Sequence, residues 1–315
     1  MNRETQRKTV LICIIMIVAG VCLFLNAASG LTSYWGSNSG RRSNTAGMGD
    51  GQAVSAETDS FSEPTTEASP QALAAVQGAM SPGSQVNLME SSDKIRYIRS
   101  HEKLYPEELL SLLSRNVETV DFVYSYPKLV KAGLNTEAAA ENITFTKAEL
   151  KEKHPLFLQW DTRWGAIPYG SSMMALSGCG PTCLSMAAVA LTGDKNATPA
   201  AVAAYSMEQG YYMEGQGTAW SLMYEGCKNY GLKSEDIACE EEEMAQKLSQ
   251  GCVLICSVAP GDFTQNGHFI VIYGYDDGWF EINDPNSVNL SNAKWKFDRL
   301  KGQIRNIWAM SAADE

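Results

Sequence analysis

Apolar residues crowd the start of the chain and then thin out for a long stretch. Thr9 to about Leu31 carries no charge, is densest in apolar residues between Val10 and Leu25, and follows Arg3, Arg7 and Lys8. A spanning helix needs roughly 17–25 apolar residues, so residues 1–31 read as a transmembrane anchor or as a signal peptide, with Ala27 and Ser29 small enough to flank a cut. No basic residue follows the run until Arg41, which places the N-terminus in the cytoplasm and everything after the run outside the cell. Residues 32–100 are rich in Ser, Gly, Thr, Ala and Glu, as in Ser33-Tyr34-Trp35-Gly36-Ser37-Asn38. Such a composition buries too little apolar area to offset chain entropy, and a disordered spacer is expected.

Periodic patterns return near Leu104. Pro106 followed by Glu107, Glu108, Leu109, Leu110, Leu112 and Leu113 predicts a short helix with proline in its first turn and acids near its positive end. A second short element runs from Val120 to Tyr126 and is expected to end at Pro127. Residues 101–150 thus form a helical accessory segment, and residues 151–315 form the main domain.

In that domain Cys183, Met186, Ala187, Ala190 and Leu191 recur at helical spacing, and Gly193 supplies a stop. Further helices are expected at Pro199–Gln209, at Thr218–Tyr230, and from the acidic run Glu240–Glu243 to about Ser249. After Gly251 the period changes to two, with β-branched runs at Cys252–Val258, Phe269–Tyr273 and Trp279–Ile282, the last two joined by a turn at Asp276-Asp277-Gly278. Helices first and antiparallel strands afterwards define an α+β class.

The net charge of −11, with the cations spread singly, excludes a nucleic-acid or anionic-lipid surface. Of eight cysteines, Cys13 and Cys22 lie in the apolar stretch and act there as small hydrophobes. The other six form no CxxC pair, so neither a zinc ribbon nor a dense disulfide framework is expected, although one bridge between Cys227 and Cys239 is compatible with an oxidising exterior.

The candidate chemistry centres on Gly178-Cys179-Gly180-Pro181-Thr182, which leaves a thiol exposed at the start of a helix. A thiol at the positive end of a helix and beside an imidazolium ionises readily, which makes it a nucleophile. Cys183, one turn later in the apolar stripe, reads as a core residue. There are three histidines, and of these His268 leads straight into the apolar strand Phe269–Tyr273, a rigid mount for a general base. With a three-residue loop at 276–278, Tyr275 faces Trp279 and Asp284 lies diagonal to His268 on the same side, where it orients the ring. A two-residue loop at Asp277 and Gly278 would put the two on opposite faces unless a bulge intervened, and Asn283 would then be the alternative orienter.

The segments Gln159-Trp160-Asp161-Thr162-Arg163-Trp164-Gly165, Gly178-Cys179-Gly180-Pro181-Thr182, Gly267-His268-Phe269-Ile270-Val271-Ile272 and Asn283-Asp284-Pro285 resemble, in this order, the bacterial cysteine peptidase-like family related to the double-glycine leader peptidases, within the papain-like superfamily. The resemblance covers about Leu156 to Trp308. It implies a papain-like cysteine peptidase fold, with Cys179, His268 and Asp284 at the catalytic positions and Gln159 matching a glutamine whose side-chain amide helps form the oxyanion hole. Trp160 and Trp164 read as packing residues. The expected reaction is attack of the Cys179 thiolate on a peptide or other amide carbonyl with His268 as base, through a thioester, with no metal or organic cofactor. The expected partner is a peptide or protein substrate. Rival readings are an acyltransferase, in which an amine replaces water, and a non-enzymatic surface-binding module.

Overall fold

The computed structural model describes residues 88–313, so the anchor or signal read at 1–31 and most of the 32–100 spacer lie outside the described residues. Among the described residues no helix is long and apolar enough to cross a membrane.

The last part of the segment read as spacer is helical. Helix α1 spans Leu88–Ser100, so order begins before Leu104. The reason is tertiary. Ile98, only 1% exposed, is buried with Leu109, Leu112, Val120 and Phe122 from later in the chain, and Lys94 pairs with Glu90 one turn back and with Asp121. Packing on a partner outweighs a weak local signal. Helix α2 spans Glu107–Arg115 behind Pro106, with acids in its first turn as expected. Helix α3 spans Val120–Lys131 and runs past Pro127, its expected end. Proline removes one donor, yet the turn beyond it still closes through Ala132 N–H to the Lys128 carbonyl at 3.0 Å.

These helices share their core with the main domain, because Ala166 and Ala175 are buried in the same cluster as Leu109 and Phe122. In the main domain, helix α4 spans Cys179–Thr192, buries every residue from Gly180 to Val189, and ends at Gly193 with φ of 69°. A helix buried all round is mostly apolar, as this run of alanines, Val and Met is, and its two buried hydroxyls, Thr182 and Ser185, donate to the Gly178 and Ala197 carbonyls. Helix α5 spans Pro199–Glu208, with Thr198 accepting from the Ala201 N–H at its start. The helix expected over 218–230 is broken into Ser221–Tyr224 and a tighter turn at Gly226–Tyr230. Gly226 packs so closely that a Cβ there would lie 2.7 Å from Leu222.

The strands of the main sheet and the helices beside them are β1 (Leu232–Asp236), α6 (Glu241–Ser249), β2 (Val253–Val258), β3 (His268–Asp276), β4 (Trp279–Asn283), α7 (Val288–Asn292), β5 (Lys294–Trp295) and β6 (Ile304–Ala312). The six strands form one antiparallel sheet in the order β1-β6-β2-β3-β4-β5. One face carries Val253, Ile255, Val271 and Trp308 against the α4 core, and the other carries Leu254, Ile270, Ile272 and Ile307 against Met244 of α6. The architecture is α+β, a helical N-terminal part followed by an antiparallel sheet. All six cysteines among the described residues are free, so no Cys227–Cys239 bridge forms.

The β3–β4 hairpin differs from expectation in a way that matters. Asp276 pairs with Trp279, so the loop is the two residues Asp277 and Gly278, both at positive φ (46° and 76°). Those angles suit the primed turn that matches strand twist. The register then shifts between Ile272 and Gly274, a bulge at Tyr273. Beyond it Val271 pairs with Asn283, which is the register a three-residue loop would have set. The bulge returns Asp284 to the side of His268.

Because α2 shares its core with Ala166 and Ala175, Leu109→Ala is expected to destabilise the whole domain by about 2–5 kcal/mol through the cavity it leaves. Chemical denaturation followed by both tryptophan fluorescence and far-UV circular dichroism should give one coincident transition. Two separate transitions would mean that the helical segment unfolds independently.

Candidate active site

Cys179 is the first residue of α4, with Gly178 as its cap, so its backbone N–H has no acceptor within the helix. The glycines on either side are dictated by packing. A Cβ on Gly178 would lie 2.6 Å from the Met174 carbonyl oxygen, and one on Gly180 would lie 2.6 Å from Thr218 Cβ. The thiol is half-buried, whereas Cys183, one turn on, is fully buried and its pKa is pushed well above the ordinary thiol value by that burial.

His268 opens β3 and is 7% exposed. Its Nε2–H donates to Asp284 Oδ1 at 2.7 Å, and Cys179 lies near enough to the ring to favour its charged form. Burial by itself lowers the imidazole pKa, but the charge and hydrogen bond of Asp284, followed by the contact with Cys179, outweigh it and raise the pKa. Asp284 is wholly buried and also accepts the Asn286 N–H at 2.8 Å on the same oxygen. Its Oδ2 has no hydrogen-bond donor among the described residues. The buried charge therefore depends on His268 for compensation.

Asn283, the alternative orienter, is committed elsewhere: its side-chain amide donates to the carbonyls of His154 and Pro155, at 3.1 Å each. Of the other histidines, His101 stacks on Tyr97 and His154 on Tyr273. Gln159 is 4% exposed and bordered by the same cleft as Cys179 and His268. Its side-chain Nε2 donates one N–H to the Ala175 carbonyl at 2.9 Å, which leaves the second for a ligand in the cleft. The Gln159 backbone N–H donates to the Pro285 carbonyl at 2.7 Å, tying it to the residue after Asp284. Trp164 is fully buried, with Nε1–H donating to the Leu158 carbonyl at 2.8 Å. Trp160 does more than pack: its Nε1–H donates to the Asn286 carbonyl at 3.0 Å.

These groups meet in a cleft of about 1290 Å³. Its walls include Leu112, Arg115 and Asn116 of the helical segment, Ser171 to Ser177 ahead of Cys179, the 212–220 loop with the exposed Met213 and Trp220, and the 261–267 loop leading into His268. The sequence reading missed the first wall and the hydrogen bonds made by Asn116, Glu118 and Ser291 to the loop after Asp284. Periodicity carries no signal for such polar contacts between distant segments. Among the described residues no cluster of His, Cys, Asp and Glu has the makings of a metal site.

A family model described as the peptidase C39-like family matches residues 151–313. The chain is similar in structure to the peptidase domain of Streptococcus ComA, a bi-functional ABC transporter involved in a quorum-sensing pathway, at 18% identity and a TM-score of 0.38, over 51% of this chain and 99% of that one. It is also similar to a C39-like peptidase from Bacillus anthracis, at 16% identity and a TM-score of 0.33, over 55% of this chain and all of that one. No curated protein matches the chain.

Since the Asp284 carboxylate opposes desolvation at His268, removing it should lower the imidazole pKa. In wild-type protein His268 is expected to titrate above the ordinary 6.5, and in Asp284→Ala, where only the Cys179 contact still opposes desolvation, well below the wild-type midpoint. Titration of the imidazole by NMR checks this. An unchanged midpoint would show that the carboxylate does not stabilise the imidazolium.

Proposed function

The chain belongs to the peptidase C39-like family and has its papain-like fold, and on that basis we propose that it is a cysteine peptidase with Cys179 as nucleophile, His268 as general base and acid, and Asp284 as the carboxylate that orients His268. The observation that carries this reading is the meeting of a half-exposed thiol at a helix start with a buried histidine held at 2.7 Å by a buried aspartate, beside one cleft.

In the proposed reaction the Cys179 sulfur attacks the carbonyl carbon of a peptide bond while His268 Nδ1 takes the thiol proton. The developing oxyanion accepts the Cys179 backbone N–H and the free side-chain N–H of Gln159, a pair of donors whose preorganisation is worth several kcal/mol in such sites, about 3–4 for one donor. Collapse of the tetrahedral species breaks the C–N bond, and the His268 proton passes to the leaving amine. Water, deprotonated by His268, then attacks the thioester and returns the thiol. Asp284 keeps Nε2 protonated throughout, so Nδ1 remains the nitrogen that exchanges protons. The cleft, with Met213 and Trp220 exposed on one wall, suits an extended peptide.

We place the site outside the cell, tethered by residues 1–31 or released if they are cleaved. The support is the charge asymmetry around the apolar stretch. Protease added to intact cells should remove the C-terminal domain, and full protection until lysis would reverse the topology.

Cys179→Ala is expected to abolish both peptide cleavage, measured with a peptide library, and labelling by a thiol-directed activity probe, while leaving the thermal transition in place. Labelling retained in Cys179→Ala would move the nucleophile elsewhere. Cleavage retained together with labelling would sink the peptidase assignment of this residue.

A further inference from the structure

The loop that follows Asp284 is held from outside the family-matched region. Glu118, in the turn between α2 and α3, directs both carboxylate oxygens at it: Oε1 accepts the Ser287 hydroxyl at 2.5 Å, and Oε2 accepts the N–H groups of Val288 and Asn289 at 2.8 and 3.2 Å. Two residues earlier, Asn116 Nδ2 donates to the Asn286 carbonyl at 2.6 Å, the same oxygen that Trp160 Nε1 reaches at 3.0 Å. The 116–119 turn is itself stiffened, because Asn116 Oδ1 accepts the Glu118 N–H at 3.0 Å and the Thr119 hydroxyl donates to the Asn116 carbonyl at 2.7 Å. Residues 116 and 118 lie outside the 151–313 match.

What these bonds hold is the backbone that supplies a donor to the Asp284 carboxylate. Asp284 Oδ1 is shared by His268 Nε2–H and the Asn286 N–H, and the Asp284 N–H donates to Ser291 Oγ in α7, the helix whose first residues Glu118 grips. If the 286–289 stretch shifts, the Asn286 N–H leaves Oδ1 and the carboxylate loses the donor that aims it at the imidazole. A buried polar group released from its partner costs more than the bond was worth, so the loop has one well-defined position only while these contacts last.

We propose that Glu118 and Asn116 are positioning residues for the active site, fastening the 284–289 loop from the helical accessory segment so that Asp284 stays against His268. The proposal rests on reading Asp284 as the orienting carboxylate of a cysteine peptidase. It makes residues 101–150 part of the catalytic unit. The three donors that converge on Glu118 need two acceptor oxygens, which a glutamine cannot supply, so the effect should be graded.

The test is the pH profile of Cys179 alkylation by iodoacetamide in the full chain, with the alkylated residue located by mass spectrometry, which needs no substrate. The informative feature is the inflection at which His268 loses its proton. Glu118→Ala and Asn116→Ala are expected to move it down by about half a pH unit or more, Glu118→Gln by less, and Asp284→Ala furthest. Should Glu118→Ala not fold, Asn116→Ala and Glu118→Gln carry the same measurement. A lower melting temperature with the inflection unmoved in the folded Glu118 and Asn116 variants, while Asp284→Ala moves it, would confine these residues to a structural role and overturn the proposal. An inflection unmoved in Asp284→Ala itself would overturn the reading of the site as well.

Discussion

Asp284 has no exposed surface, and its carboxylate lies 2.7 Å from the ring nitrogen of a histidine that is 7% exposed. A buried charge left without its partner costs about 3–5 kcal/mol, so neither group is stable in this position without the other. That mutual dependence constrains the surrounding structure. The imidazole must enter from the start of β3, the carboxylate from the end of β4, and the two strands must keep the register that puts both on one side. One bulged residue, Tyr273, reconciles that register with the tight turn at Asp277 and Gly278. A bulge normally weakens a ladder, and here it sits within β3 with three paired residues between it and the turn, leaving the paired stretch that carries His268 intact.

The same constraint explains why the helical N-terminal layer is packed where it is. The end of β4 leads into a loop with few apolar residues, which has no hydrophobic core of its own to fix it. Its position is set by polar contacts: Ser291 on the Asp284 N–H, Gln159 on the Pro285 carbonyl, Trp160 and Asn116 on the Asn286 carbonyl, and Glu118 on the residues after it. Gln159 and Trp160 belong to the segment that also carries the candidate oxyanion donor, so the loop behind the carboxylate and the donor in front of the thiol are fastened to one another.

Much of the fold around the candidate site is legible in local sequence pattern. The stripe from Cys183 to Leu191, the helix at Pro199–Gln209, and the β-branched runs at 252–258 and 269–273 are read locally, because each element's own spacing matches the face it buries. The failures are long-range. Helix α1 exists because Ile98 meets residues from α2 and α3. Strand β1, Leu-Lys-Ser-Glu-Asp, has one buried residue and pairs only because β6 runs beside it. The bulge at Tyr273 is marked only by Gly274 beside it inside the strand, and without it the two-residue turn argues for Asn283 in place of Asp284. Glu118 reads as a solvated acid in a polar turn until the loop 170 residues later in the chain is brought against it.

The two cysteines of α4 show how position decides exposure on one helix. Cys179 and Cys183 are four residues apart and so lie on roughly the same face. Cys183 is enclosed by the core, and burial makes its thiolate too costly to populate. Cys179 lies at the first turn, where backbone N–H groups are unsatisfied and point toward any negative charge, and where His268 reaches it. Its flanking glycines are required by the close approach of Met174 and Thr218. The packing that buries the helix therefore also pares away side chains around its first residue. In this chain helix α4 is buried from Gly180 to Val189, its last residues Ala190 to Thr192 emerge at one end, and at the other end Cys179 alone of the first turn stays half-exposed, at the point where β3 begins.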